Sequence, residues 1–280
     1  MRTLIQKVHL ESQQSFACRE YITPSFETNW HKHEEYELIL ITKGSGRLLM
    51  GDFIGEFMEG DVYFIAENLP HWFRKQHPKM IASATVVHFK KEIFGDNFLL
   101  LPELKQIHSL LNKAEGIQLH DELKKNVTTL IKTLLVTKSY SRIQHLLTCL
   151  HQISSSKKYT IHTSNFTNTE ERINPAIEAV FNFSFKNYLH SVTLNQAAKA
   201  ANMSIPTFSR FFKKNVKKTY FEFLQELRIA HACQLLTSTN KPVLEICYES
   251  GFNSWAHFSK KFKELKHISP SRYRNEFSRE

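Results

Sequence analysis

The last third of the chain contains an internal repeat with an offset of fifty residues, which restricts the possible fold more than any single motif does. Each copy consists of a short amphipathic helical pattern, a turn, and a second helical pattern that opens with a Ser or Asn cap. The aligned pairs are Leu194 and Leu244, Ala197 and Cys247, Ser204 and Ser254, Phe208 and Phe258, Arg210 and Lys260, Phe212 and Phe262, Lys213 and Lys263, and Thr219 and Ser269. Two copies in step predict two helix-turn-helix units.

The second helix of each copy is expected to have one apolar face and one basic face. In "SIPTFSRFFKK", Ser204 suits the N-cap and Pro206 suits the first turn, while Phe208, Phe211 and Phe212 recur at helical spacing. The outward side chains are small, polar or cationic, which suits the major groove because cationic groups bind phosphates and guanine edges. The candidate DNA-binding residues of the two copies are Ser204, Pro206, Thr207, Ser209, Arg210, Lys213, Lys214, Asn253, Ser254, Trp255, Ala256, Ser259, Lys260 and Lys263.

The distribution of charge agrees with a polyanion as partner. The formal net charge is +10. Residues 1–90 contain 10 Lys and Arg against 11 Asp and Glu, residues 91–169 contain 10 against 6, and residues 170–280 contain 17 against 10. The basic excess therefore lies in the last two thirds of the chain, as expected for nucleic-acid binding. A helical bundle whose basic residues are only solvated is the alternative.

These motifs resemble the AraC family of bacterial transcription regulators. The resemblance is closest over residues 173 to 274 and rests on "SIPTFSRFFKK", "LRIAHACQLLTSTNKPVLEICYESGFNSWAHFSKKFK" and "SPSRYR". It implies a seven-helix DNA-binding domain over residues 173–280, with groove-facing positions at Pro206, Ser209, Arg210, Trp255, Ala256, Ser259 and Lys260.

The resemblance also leads to expectations for three further positions: Arg228, Lys217 and His267. Arg228 matches the family's central helix, where a structural role and a phosphate-positioning role both stay open. Lys217 and His267 stand where the family usually has Gly, so the left-handed turn after each recognition helix must form without Gly. A residue other than Gly in a left-handed turn lowers folding stability by on the order of 1 kcal/mol per site.

Residues 36–89 predict a β-rich domain without helices. The segments "YELILITKGSG", "RLLMGDFIGEFMEGD", "VYFIAENLPHWF" and "MIASATVVHF" are rich in apolar and β-branched residues, with Gly between them, which is typical of a sandwich or barrel. The spacing His31-x-His33-x-x-x-Glu37, with Gly60 and His71 further on, is similar to the two cupin motifs. This looser resemblance implies a cupin-type β-barrel sensor domain, which we assign to residues 1–95.

The candidate ligand-binding residues are His31, His33, Glu37 and His71. Three roles stay open for them: a metal site, because this donor set suits Fe, Mn, Ni or Zn; a small-molecule pocket without metal; and structural hydrogen bonding. The positions that depart from metal-binding cupins are Ser25, Ala66, Asn68 and Lys75. We therefore predict no metal and no cofactor, with the same four residues as the candidate metal ligands.

The middle of the chain predicts helices followed by a linker. Apolar residues recur at helical spacing from Leu123 to Leu135 and from Ile143 to Ile153, inside a connecting region at residues 96–155. These helices either pack on the β-domain or form a dimer interface. The polar, Ser- and Thr-rich residues 156–172 are the predicted linker. The four cysteines are far apart and are predicted to be reduced thiols.

The sequence predicts an α+β chain with an N-terminal cupin-like β-barrel, a helical connecting region and an all-α C-terminal domain with two helix-turn-helix units. The predicted function is a sequence-specific regulator that binds double-stranded promoter DNA and responds to a small-molecule effector. We expect a homodimer, with RNA polymerase as a possible further partner. No phosphate loop, nucleophile elbow, signal peptide or long apolar segment occurs, so we expect a non-enzymatic, cytoplasmic protein without a membrane partner. The alternatives are a metal-dependent cupin enzyme with an accessory helical module, and a ligand-independent DNA binder.

Overall fold

The computed structural model describes residues 10, 14–26, 30–77, 79–95, 97–113, 116–163 and 175–277. The chain forms two compact units, which we call the N-terminal unit, up to Ile173, and the C-terminal unit, from Asn174 onward. Among the helices of the described ranges, none has both the length and the apolar character needed to cross a bilayer.

The N-terminal unit contains two antiparallel sheets. Its strands are β1 (Ala17–Ile22), β2 (Tyr36–Lys43), β3 (Ser45–Met50), β4 (Phe53–Met58), β5 (Val62–Ile65), β6 (His71–Lys75), β7 (Ser83–Phe89), β8 (Gly116–Leu119) and β9 (Tyr159–Thr163). Six strands form one sheet in the order β1-β7-β2-β5-β8-β9, and three form the other in the order β4-β3-β6. The β-rich domain is confirmed, and its two sheets form an open sandwich rather than a closed barrel within the described residues.

The alternation of side chains along β2 produces two apolar layers. Leu38 and Leu40 belong to a cluster with the helices of this unit, whereas Ile39 and Ile41 belong to a cluster with the three-stranded sheet. Glu37 alternates with Leu38 and so shares the face of Ile39. A carboxylate is therefore held in the interior between the two sheets.

Helices cover the outer face of the six-stranded sheet. They are α1 (Lys105–Leu111), α2 (Asp121–Val136) and α3 (Ser139–Ser155). The apolar residues predicted for α2 and α3, such as Val127, Ile131, Leu150 and Ile153, are buried in the cluster beneath the helices. The sequence left open whether these helices pack on the β-domain or form a dimer interface. The buried side chains support packing on the β-domain.

The domain boundaries differ from the predicted ones in two places. Strand β8 lies inside the connecting region at 96–155, and strand β9 lies inside the predicted linker at 156–172. Both strands extend the six-stranded sheet, so the β-domain does not end at residue 95. The linker assignment is wrong for Tyr159–Thr163, and residues 164–172 lie outside the described residues.

Seven helices form the described part of the C-terminal unit, as the resemblance implied. They are α4 (Pro175–Asn187), α5 (Leu194–Ala200), α6 (Ile205–Val216), α7 (Tyr220–Ser238), α8 (Val243–Glu249), α9 (Trp255–Lys266) and α10 (Pro270–Phe277). The two helix-turn-helix units are α5–α6 and α8–α9. The α+β class with a helical C-terminal domain is confirmed.

Candidate functional site

The two recognition helices, α6 and α9, both begin with a Ser residue at the N-cap position. Ser204 accepts a hydrogen bond from the backbone N–H of Thr207, and Ser254 accepts one from that of His257. Each cap satisfies a backbone donor that the first turn of a helix leaves without an intrahelical partner. The Ser204 hydroxyl also donates to Thr207 Oγ1 at 2.9 Å, so this hydroxyl serves the helix itself.

A pair of phenylalanines on the apolar face of each recognition helix is fully buried. Phe208 and Phe212 of α6 and Phe258 and Phe262 of α9 have 1% or less of their surface exposed. Phe211, predicted for the same buried face, is only half-buried. Burial of the Phe pair fixes the rotation of each helix about its axis, so the opposite side chains must face outward.

The sequence-predicted DNA-binding residues lie on these outward faces. Thirteen of the fourteen are exposed and Ser259 is half-buried. Trp255 is 41% exposed at the start of α9, although its ring also lies 5.6 Å from that of Phe258. The basic residues Arg210, Lys213 and Lys214 on α6, and Lys260 and Lys263 on α9, are all exposed. Each helix thus presents a positive surface.

Both recognition helices end in the left-handed conformation without Gly. Lys217 has φ 61° and ψ 9°, and His267 has φ 62° and ψ 1°. The expected Gly-free turns are confirmed, and each backbone N–H bonds to a carbonyl four residues earlier, Lys213 and Lys263 respectively. The repeat therefore extends from the cap to the turn that follows each helix.

Arg228, whose role was left open, joins separate parts of the C-terminal unit. Its Nε donates to the carbonyl of Tyr188 at 2.7 Å and its Nη2 donates to the carbonyl of His190 at 2.8 Å. Its guanidinium carbon also lies 5.9 Å from the centre of the Phe252 ring. These contacts tie α7 to the loop before α5 and to the turn after α8, which is a structural role.

In the N-terminal unit, the four predicted ligand-binding residues come together with a fifth, His88. All five side chains are buried between the sheets. Glu37 Oε2 lies 3.0 Å from His71 Nε2 and 3.4 Å from His33 Nε2, and Glu37 Oε1 lies 3.2 Å from His88 Nε2. His31 pairs with His71 through its backbone, and their rings lie 4.3 Å apart. We call these five residues the His–Glu cluster.

The sequence analysis missed His88 because its place depends on strand pairing. His88 lies on β7 directly opposite Glu37 on β2, although the two residues are far apart in the chain. The only local signal is the alternation of "SATVVHF", which places a polar residue on the face of Ala84 and Val86.

The electrostatics of the cluster favour an ionised carboxylate. Burial alone would raise the pKa of Glu37, but the neighbouring His71, His88 and His33 hold it well below its usual value. Burial would lower the pKa of His33, but hydrogen bonding and charge from Glu37 raise it overall. The cluster therefore centres on one negative charge surrounded by imidazoles.

A small pocket opens on the cluster. His31, Glu37, His71 and His88 line its polar side, and its apolar wall includes Phe26, Ile39, Phe73 and Val86. An apolar chamber with a few converging polar groups is the usual form of a small-molecule site.

Two family models match the chain. The model described as an AraC-like ligand binding domain matches residues 13–166, more than half of the chain, and the model described as a helix-turn-helix domain matches residues 197–276.

Full-length relatives are named as regulators. The HTH-type transcriptional activator RhaS of Mannheimia succiniciproducens is 25% identical over 248 residues, covering 87% of this chain and 88% of that protein. The HTH-type transcriptional activator RhaR of the same organism is 22% identical over 276 residues, covering 92% and 91%. Among solved structures, ToxT from Vibrio cholerae is 14% identical with a TM-score of 0.40, covering 95% of this chain and 100% of that one.

Proposed function

The chain belongs to the AraC family and is a DNA-binding transcription regulator, and from this premise we propose which residues contact DNA and where its effector binds. Helices α6 and α9 enter the major groove of promoter DNA through the fourteen outward residues described above. A small-molecule effector occupies the cavity beside the His–Glu cluster.

The observation that carries the DNA interface is the matched pair of recognition helices. Each contains 12 residues and is about 18 Å long, and a helix of this size fits the B-DNA major groove. Arg210 and Lys260 occupy the same place in the two copies, on exposed faces. A cationic side chain at this place in each helix can reach a guanine edge, whereas the more C-terminal lysines can reach phosphates.

The test uses operator fragments that the purified protein selects from its own genome. Arg210→Ala and Lys260→Ala are each expected to weaken binding by roughly 1 to 3 kcal/mol and to relax sequence preference, if each makes a base contact. Lys186→Ala is the matched control, since Lys186 is exposed but lies on α4, outside both recognition helices. Fluorescence anisotropy at several salt concentrations measures both affinity and salt slope. Equal affinities for wild type, Arg210→Ala and Lys260→Ala would refute the interface.

The effector site is supported by the cavity and by the family of the domain that contains it. A bound effector regulates only if it binds one conformation of the protein better than another. Ile39→Trp would fill the cavity from its apolar wall, and we expect it to abolish the response to effector while leaving basal DNA binding intact. Glu20→Gln, a change at a residue that does not line the cavity, is the control.

The remaining partners are proposals of the same kind. We propose a homodimer in the cytoplasm, where promoter DNA is found, and contact with RNA polymerase, since the full-length relatives are named as activators.

The apolar residues that α2 and α3 bury are used in the core, but Val136 and Tyr140 at the turn between these helices are 79% and 74% exposed. If they lie at the dimer interface, Val136→Asp will shift the molecular mass measured by light scattering to that of a monomer.

The alternative of a metal-dependent cupin enzyme is not supported. The relatives carry the names of transcriptional activators, and the helix-turn-helix domain matches its own family model.

A further inference from the structure

We propose that Lys217 and His267, the residues that follow the two recognition helices, each bind a phosphate of the DNA backbone at the edge of the major groove. Neither residue belongs to the fourteen outward residues of the interface proposed above. The inference rests on the proposed function and adds a second kind of contact to it. Contacts of this kind set the affinity for DNA and the orientation of the protein, and they carry no sequence preference of their own.

Both residues occupy a backbone conformation that disfavours a side chain. Lys217 has φ 61° and His267 has φ 62°, in the left-handed region that Gly adopts without penalty. For a residue with a Cβ atom, this conformation lowers the ratio of folded to unfolded protein about fivefold. The chain carries this penalty at two positions that lie fifty residues apart, at the same place in each repeat. Strain kept at matched places is typical of residues whose side chains have a function.

Both side chains are exposed and available to bind a ligand. Among the described residues, neither the Lys217 ammonium nor the His267 ring has a hydrogen-bond or ion-pair partner. The next lysine differs, because Lys218 Nζ donates to both carboxylate oxygens of Glu226 at 2.8 Å. Of these two adjacent lysines, Lys218 is therefore held by the fold, whereas the charge of Lys217 is available for DNA.

The register of each recognition helix places these residues on the side that faces DNA. Lys217 follows Arg210 by seven residues, which is close to two helical turns, so the two lie within about 20° of each other around the axis. The backbone N–H of Lys217 still bonds to the carbonyl of Lys213, so its Cα keeps the helical path. His267 has the same relation to Lys260 in the second copy.

The spacing along the helix axis matches the step from a base edge to the phosphate backbone. Seven residues rise about 10.5 Å, and the major groove of B-DNA is about 12 Å wide. When Arg210 lies over a base edge, the end of α6 therefore lies at the side of the groove, where phosphate oxygens are the acceptors within reach. An ammonium donates to such an oxygen, and an imidazole has an N–H donor in both its neutral and its charged form.

Fluorescence anisotropy of the full-length chain tests the proposal with two probes, the selected operator fragment and an unrelated duplex of the same length. Each phosphate contact adds about 0.9 to the slope of log affinity against log salt. Lys217→Gly should therefore reduce this slope by about 0.9 on both probes and bind both roughly eightfold more weakly at about 0.1 M salt. His267→Gly should also weaken binding to both probes, with the preference for operator unchanged.

Three matched variants separate the side chain from the backbone. Lys217→Asn removes the charge but tolerates the left-handed conformation, so it should lose as much affinity as Lys217→Gly. Lys217→Arg keeps a phosphate donor and should bind as wild type does. Asn202→Gly should leave DNA affinity unchanged, since Asn202 is an exposed, uncharged residue with φ 54° in the turn between α5 and α6.

Unfolding by denaturant gives a second readout that a purely structural residue would not produce. Lys217→Gly should raise the ratio of folded to unfolded protein about fivefold while it weakens DNA binding. Stability and affinity then change in opposite directions. A residue that acted only through the fold would change both in the same direction.

Three outcomes would overturn the proposal. Equal affinities of wild type, Lys217→Gly and Lys217→Asn at every salt concentration would exclude the Lys217 contact, and equal affinities of wild type and His267→Gly would exclude the contact of His267. A loss confined to the operator would indicate a base contact in place of a phosphate contact. Failure of the proposed function has a different signature, in which Arg210→Ala and Lys260→Ala bind the operator as tightly as wild type does.

Discussion

Replacing Arg228 by Ala removes contacts that hold three segments of the C-terminal unit together. Arg228 donates two hydrogen bonds, at 2.7 and 2.8 Å, to the carbonyls of Tyr188 and His190. A hydrogen bond to a charged group contributes about 1.5 to 3 kcal/mol, and the bond to His190 is exposed, so its share falls at the low end or below. With a small contribution from the Phe252 ring, we expect Arg228→Ala to lower the free energy of unfolding by roughly 2 to 4 kcal/mol.

Amide exchange measured by mass spectrometry tests this expectation in the full chain. Protection should fall in α4, α5 and α8, and Arg228→Lys should restore little of it, because an ammonium cannot reproduce the two-pronged geometry of a guanidinium. Arg272→Ala is the control, since Arg272 is exposed and pairs with Glu276 on its own helix.

The alternative role of Arg228 makes the opposite prediction. A phosphate contact would contribute about 0.9 to the slope of log affinity against log salt. An unchanged slope with lower stability supports the structural role. A slope reduced by about one unit, with amide protection unchanged, would refute the reasoning from these contacts.

Three further predictions concern backbone geometry and helix capping. Lys217→Gly should stabilise the C-terminal unit by about 1 kcal/mol in denaturant unfolding, because Gly adopts the observed φ of 61° without penalty, whereas Lys217→Ala should not. Gly251→Ala should destabilise it by more than about 1 kcal/mol, because φ is +82° and the added Cβ would lie 2.9 Å from the carbonyl oxygen of Tyr188. The hydrogen bond from the Thr219 backbone lowers the pKa of Glu222, so its contribution to stability is present above the unfolded value of 4.5 and is lost as the pH falls through the folded value. Glu222→Gln should therefore flatten the acid limb of the unfolding curve.

The recognition helices were predictable because every signal that defines them is local. The spacing of Phe208 and Phe212 fixes the buried face, Ser204 fixes the start, and the missing Gly at Lys217 predicted a left-handed residue that the structure contains. Each of these features spans fewer than fifteen residues, so neighbouring sequence is sufficient to specify it.

The missed strands show where local signals fail. Strand β8 has only four residues, and β9 lies in a segment whose Ser and Thr content suggested a linker. Tyr159, Ile161 and Thr163 alternate as in a strand, but a short polar alternation becomes a strand only when a neighbour supplies the hydrogen bonds. The pairing of β9 with β8, whose Gln118 lies opposite Thr160, supplied that neighbour.

Part of the His–Glu cluster was predictable from local sequence, and part of it depends on strand pairing. His31, His33 and Glu37 lie within seven residues of one another, and a motif search could join them to His71. No spacing along the chain could find His88, because its distance from Glu37 is set by the register of β7 against β2. A slip of one residue in that register would put Val87 or Phe89 opposite the carboxylate and turn the histidine out of the sandwich. The chemistry of the cluster is therefore specified by strand pairing as much as by the histidines themselves, and a change that shifts the β2–β7 register should separate His88 from Glu37 without altering either residue.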